Sequence, residues 1–145
     1  MERLIEFILS NLFWVSLWIA ILMLLTWNLF GDFFMGITQL EVMDVTRRIN
    51  HDNAILVDLR SPSEFEAGHI LNSLNIPDAD LLDRKSELDK FQKKPVIFYC
   101  QRGAKSPRVV KLLKADGFED ISSIKGGILT WQSAGLPLSQ VRKQS

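Results

Sequence analysis

The chain holds one cysteine, two histidines and one tyrosine among 145 residues. A lone cysteine excludes an internal disulfide, and with two histidines it cannot complete a structural zinc site. No phosphate-binding glycine loop, metal-ligand cluster, catalytic carboxylate pair, internal repeat or low-complexity tract is evident. A surplus of one charge is missing too. Residues 40–145 carry 16 Lys/Arg against 14 Asp/Glu, a balance too even to argue for nucleic acid. Before residue 40 the only charged side chains are Glu2, Arg3, Glu6 and Asp32.

What fills that uncharged stretch is apolar. From Phe7 to Gly31 there are 25 residues without a charge, 19 of them apolar, and eight of the 14 aromatics fall in the first 36 residues. A uniform globular domain does not have this skew. A helix of that length, rising about 1.5 Å per residue, exceeds the roughly 30 Å hydrocarbon core of a bilayer. One Arg, the length of the run and the lack of an Ala-x-Ala-like site argue against a cleaved signal peptide. The expected organisation is an N-terminal segment, 1–31, with a transmembrane helix over about 7–30. A juxtamembrane linker (32–37), a domain over 38–140 and a flexible tail (141–145) follow.

Three short apolar runs punctuate the second part: Ala54–Asp58, Pro95–Tyr99 and Asp120–Ile124. Continuous β-branched and aromatic runs of this length suit strands buried on both faces. Helical patterns alternate with them. Val42, Val45 and Ile49 share a face, Leu81 to Phe91 is amphipathic, and Val109, Val110, Leu112 and Leu113 line a helix that stops at Gly117. Ser61-Pro62-Ser63-Glu64 fits a capping box with proline at the first helical position. Strands alternating with helices predict an α/β domain with a largely parallel sheet.

Cys100 sits where such a fold does chemistry. It follows a predicted strand and opens Cys100-Gln-Arg-Gly-Ala-Lys-Ser106, after which a helix begins. Ligands bind at the carboxyl ends of strands in open α/β sheets. Loop N–H groups and a helix dipole make an anion-binding concavity there, and such a setting favours the thiolate. Arg102, Lys105, Arg108, Lys111 and Lys114 add five positive charges between positions 100 and 114, with no negative one.

These motifs, taken in order, resemble the rhodanese domains. Leu56-Val-Asp-Leu-Arg60-Ser-Pro-Ser-Glu64-Phe65, Gly68-His69-Ile70 and Asn75-Ile-Pro77 are similar to the family's N-terminal signature. Cys100-x-x-Gly103-x-Lys105-Ser106 is similar to its active-site loop, and Lys125-Gly126-Gly127, Trp131 and Gly135-Leu-Pro137 to its C-terminal signature. The resemblance spans about residues 38–138 and extends to bacterial members with a membrane anchor and a single domain. It implies a mostly parallel five-stranded sheet flanked by helices, and sulfurtransferase chemistry without a cofactor. Cys100 would carry sulfur as a persulfide. Gln101, Arg102, Gly103, Ala104 and Lys105 would bind the persulfide and an anionic donor such as thiosulfate. Cyanide or a thiol, on a small molecule or a protein, would accept the sulfur.

The expected location is a bacterial inner membrane, with residues 7–30 in the lipid, Met1 outside and the domain in the reducing cytoplasm. Gln101 and Lys105 stand where the family commonly has Arg, a departure that bears on donor preference. A catalytically weak, membrane-tethered adaptor is the alternative, though adaptor modules usually lack the cysteine. Tyrosine phosphatases place Arg six positions after their Cys, whereas position 106 here is Ser. His69, Asp58 and Arg60 read as structural, His51 as a turn residue and Trp131 as core. Gly126 and Gly127 lack dinucleotide-loop spacing and read as letting a helix approach the active-site loop.

Overall fold

The computed structural model describes Arg3, Glu6 and residues 10–34 and 36–141, with the side chains of 29–34 left aside. The chain divides into two compact units, residues 1–36 and 37–145. The first holds helix α1, Leu12–Phe34, whose Leu12, Phe13, Trp14, Trp18 and Trp27 are all exposed. Among the described residues no helix is long and apolar enough to cross a membrane, so the expected transmembrane helix finds no support there. Residues 7–9 of the expected span lie outside the described residues.

The second unit is built on a five-stranded sheet in the order β1-β5-β4-β2-β3, every neighbouring pair parallel. The strands are β1 (Gln39–Leu40), β2 (Ile55–Asp58), β3 (Leu74–Asn75), β4 (Val96–Tyr99) and β5 (Ile121–Ile124). The helices are α2 (Val42–Asp52), α3 (Pro62–Ala67), α4 (Ser86–Asp89), α5 (Ser106–Ala115) and α6 (Gly127–Ser133). Parallel neighbours need long crossovers, and these place helices over both faces. Val57, Val96 and Phe98 pack under α5 through Val109, Val110 and Leu113. Leu56, Ile97 and Tyr99 pack against Val45 of α2 and Ile128 and Trp131 of α6. All four residues of β4 are fully buried, which is why that run has no polar alternation.

β2, β4 and β5 and the helices α2, α3 and α5 lie close to where the sequence places them, whereas β1 and β3 have no counterpart among the expected runs. The amphipathic stretch Leu81–Phe91 does not form one helix. Only Ser86–Asp89 is α-helical, after a 3-10 helix at Asp78–Asp80. Tight i→i+3 bonds (Glu87 to Arg84, Leu88 to Lys85, Phe91 to Leu88) wind the segment so that Leu81 and Leu88 both reach the core. Burial thus decides over helical propensity.

The capping box before α3 is complete. Ser61 Oγ accepts from Glu64 N, and Glu64 Oε2 accepts from both Ser61 N and Ser61 Oγ. The Ser61 hydrogen bonds, side chain first and backbone second, hold the Glu64 carboxyl below its ordinary value. A lowered folded value means that this stabilisation is present above the ordinary value of 4.5 and disappears as the pH falls through the lowered one. Ser61→Ala is expected to cost about 1 kcal/mol near neutrality. In denaturant melts the gap from the parent should narrow in acid, whereas a pH-independent gap would show that Glu64 has no part in the cap.

Candidate active site

Cys100 leaves the carboxyl end of β4, the central strand, and its thiol is 4% exposed. The side chain points to the α5 face, beside Leu59, Val57 and Val109. Its Sγ lies 3.7 Å from the hydroxyl of Ser106, the fully buried first residue of α5. Ser106, which closes the loop signature in the sequence, is in the structure the polar group beside the sulfur. The five residues between, Gln101 to Lys105, form an irregular loop.

Two hydrogen bonds anchor that loop from α6. Ile128 N donates to the Cys100 carbonyl at 2.9 Å and Leu129 N to the Gln101 carbonyl at 3.3 Å. Among the described residues the backbone N–H groups of Gln101 through Lys105 donate to no protein acceptor. Five consecutive uncommitted donors beside a thiol are a nest for a charged sulfur species.

The loop and the start of α6 touch through backbone. A Cβ on Gly103 (φ +80°) would lie 2.8 Å from Gly126 N, and one on Gly127 (φ +65°) would collide with the Cys100 carbonyl oxygen. The expected close approach of a helix at Gly126-Gly127 is what the structure contains.

The expected cations are placed unequally. Arg102 is exposed with no ion-pair partner among the described residues, whereas Lys105, 66% exposed, lies 3.7 Å from Asp78. Gln101 reaches the other way, its Oε1 accepting from Arg60 Nη1 at 3.3 Å. Arg60 also donates to the buried Asp58 through Nε, Nη2 and its backbone N–H and, through Nη2, to the Gly68 carbonyl at 2.6 Å. Burial works against the Arg60 charge, but the Asp58 hydrogen bond and Coulomb attraction outweigh it and raise its pKa. Burial first, and the Asp58 charge second, push the Tyr99 phenol well above its ordinary value. That hydroxyl stays a neutral partner for Ser73 Oγ and Ile70 N.

His69, 8% exposed, bonds through Nδ1 to the Phe65 carbonyl at 2.7 Å and stacks on the Phe65 ring, a structural part as expected. Asp78 and Gln132 border the site without being anticipated. Neither belongs to a quoted motif, and only the fold brings them near.

The match to known proteins agrees with this geometry. Residues 41–134 match the Rhodanese-like domain family, and the chain belongs to it. YqhL of Bacillus subtilis is 42% identical over 84 residues, which are 58% of this chain and 65% of that protein. YibN of Escherichia coli is 28% identical over 139 residues, covering 95% of this chain and 97% of its own. A protein named sulfurtransferase from Allochromatium vinosum is 29% identical over 103 residues, 70% of this chain and 94% of that one. Among solved structures, a rhodanese-related protein of Thermoplasma volcanium superposes with a TM-score of 0.65 at 28% identity, over 72% of this chain and 99% of the other.

Proposed function

We propose that this chain is a sulfurtransferase that carries sulfane sulfur on Cys100. The observation that carries the reading is a single thiol at the base of a loop whose five N–H groups have no protein acceptor among the described residues. The Cys100 thiolate attacks the outer sulfur of a donor such as thiosulfate, the S–S bond breaks, and sulfite leaves with the electron pair. A persulfide remains, its charge held by amides from Gln101 to Lys105. Cyanide or a thiolate then takes the outer sulfur, giving two half-reactions and ping-pong kinetics. Mass measurement after thiosulfate treatment is expected to show one added sulfur on the Cys100 peptide. No addition from any sulfane donor would leave a binding module without turnover.

Arg102 and Lys105 are the donor-binding cations in this reading. Because Lys105 is mostly exposed and shares its charge with Asp78, its share is modest, about 0.2–1 kcal/mol. Lys105→Ala should raise the KM for thiosulfate up to about five-fold and leave the KM for an uncharged persulfide donor nearly unmoved. Equal rises for both donors would assign Lys105 to holding the loop.

The uncharged run from Phe7 to Gly31 is the proposed membrane segment, with the domain on the cytoplasmic face of a bacterial inner membrane. Its apolar length and the exposed apolar side chains of α1 support this, as does the need of a persulfide for a reducing compartment. Cys100 is too buried to report topology. An exposed thiol from Lys93→Cys, in a Cys100→Ala background, serves instead. An impermeant maleimide should miss it in sealed cells and label it once the membrane is opened; labelling in sealed cells overturns the orientation.

A further inference from the structure

Ser106 is the first residue of α5, yet its hydroxyl does not cap that helix. The cap position belongs to Lys105, and no side chain bonds to the helix start from there. The serine is fully buried. Among the described residues its Oγ and Cys100 Sγ, 3.7 Å apart, are each other's only hydrogen-bonding partners. The cluster that holds the sulfur is otherwise apolar, with Val57, Leu59 and Val109 in it. A buried hydroxyl is costly in such a place unless it is partnered, and alanine would carry no such cost. The partner it has is the sulfur.

In the proposed reaction the negative charge visits two atoms. In the persulfide it rests on the outer sulfur, close to the loop N–H groups of Gln101 to Lys105. None of those groups bonds to Sγ in the structure. When an acceptor takes the outer sulfur, the S–S bond breaks and Sγ leaves with the electron pair. Charge then develops on Sγ, where the Ser106 hydroxyl is the donor in reach. A hydrogen bond to sulfur strengthens as that charge grows, so it favours the transition state of release. Loading runs the other way: Sγ starts charged and loses its charge to the departing sulfite. There the same bond stabilises the starting thiolate more than the transition state.

We infer that Ser106 is a catalytic residue for sulfur release, its hydroxyl donating to Sγ as Cys100 gives up the outer sulfur. The inference rests on the sulfurtransferase reading and assigns a residue to its second half-reaction. With cyanide as acceptor, the carbon lone pair attacks the outer sulfur and a C–S bond forms. The S–S bond breaks, thiocyanate departs and Sγ is left as thiolate. Ser106 keeps its proton throughout, and no oxidant or reductant is consumed.

Single-turnover measurements on the full chain take the half-reactions apart. Loading by thiosulfate is followed as sulfur gained by mass, and release to cyanide as thiocyanate formed, each on the pH plateau of its rate. Ser106→Ala should slow release about ten-fold and leave loading level or faster, so that the sulfur-loaded form accumulates during turnover. Ser106→Thr keeps the hydroxyl and should keep the parent's ratio of the two rates, whatever its extra methyl group costs in absolute rate. Val109→Ala loosens the same cluster without removing a donor and should keep that ratio too. Equal falls of both rates in Ser106→Ala, or no change in either, overturn the role. A ratio that moves as far in the Thr or Val109 variant as in Ser106→Ala makes packing the cause and overturns it as well. A parent chain that never gains sulfur from any sulfane donor overturns the transferase reading and the role with it.

Discussion

Cys100→Ser is expected to abolish sulfur transfer, reducing thiocyanate formation to the uncatalysed background, while the sheet stays folded. No second cysteine exists to carry the sulfur, and a serine hydroxyl does not displace sulfite from thiosulfate. The stability cost is bounded by the site. A hydroxyl placed at a position 4% exposed, among Val57, Leu59 and Val109, loses about 1–2 kcal/mol. The Ser106 hydroxyl nearby offers it a partner. Cys100→Ala separates the two effects, since it removes the nucleophile without burying a new polar group. Thiocyanate formation surviving in either purified variant would refute the assignment of Cys100 as the sulfur carrier.

Gly127→Ala should be the most damaging change away from the sulfur itself. Its Cβ would strike the Cys100 carbonyl oxygen and lie 2.7 Å from Gly103 N and 2.8 Å from the Gln101 carbonyl carbon. All three atoms are backbone, so relief requires moving the loop away from α6. Overpacking costs about 1–3 kcal/mol and a left-handed alanine about 1–2 more. A loss of roughly 2–5 kcal/mol is therefore expected in denaturant melts. The folded fraction should also accept sulfur from thiosulfate far more slowly, because the five N–H donors are displaced together. Gly135→Ala is the control: φ is +73°, yet nothing lies within 4 Å of its Cβ. It should lose only the conformational part and keep its turnover. Matching losses in the two variants would mean that the contact between α6 and the loop has no special role.

Much of this domain is written in local pattern. β2 and β4 are legible because burial on both faces leaves them almost continuously apolar, and β5 because Ile121 and Ile124 bracket a short buried strand. α3 is legible because Ser61 and Glu64 satisfy each other's backbone donors within four residues. β1 and β3 are not, since two residues, Gln39–Leu40 and Leu74–Asn75, carry no periodicity. Leu81–Phe91 misleads for the converse reason: its apolar spacing suits a helix, but Leu81 and Leu88 are drawn into the core by turns. At the site, Cys100 and its loop stand out by sequence alone. Asp78 beside Lys105 and Gln132 beside Gln101 do not, because their nearness spans 27 and 31 positions and is created by the crossovers.

The strand order has a consequence in time. Val96–Phe98 pair with Ile121–Ser123 on one side and with β2 on the other, while Gln39–Leu40 must wait for Ser123–Ile124, 84 residues later. At a synthesis rate of about 5–20 residues per second, β1 leaves the ribosome roughly 4–17 seconds before its partner. Once made, β4 keeps one open edge until β5 follows 25 residues later, about 1–5 seconds at that rate. The carbonyls of Cys100 and Gln101 also lack the donors of Ile128 and Leu129, which are made later still. The sulfur that the finished domain hides is therefore bare in the nascent chain until α6 is made.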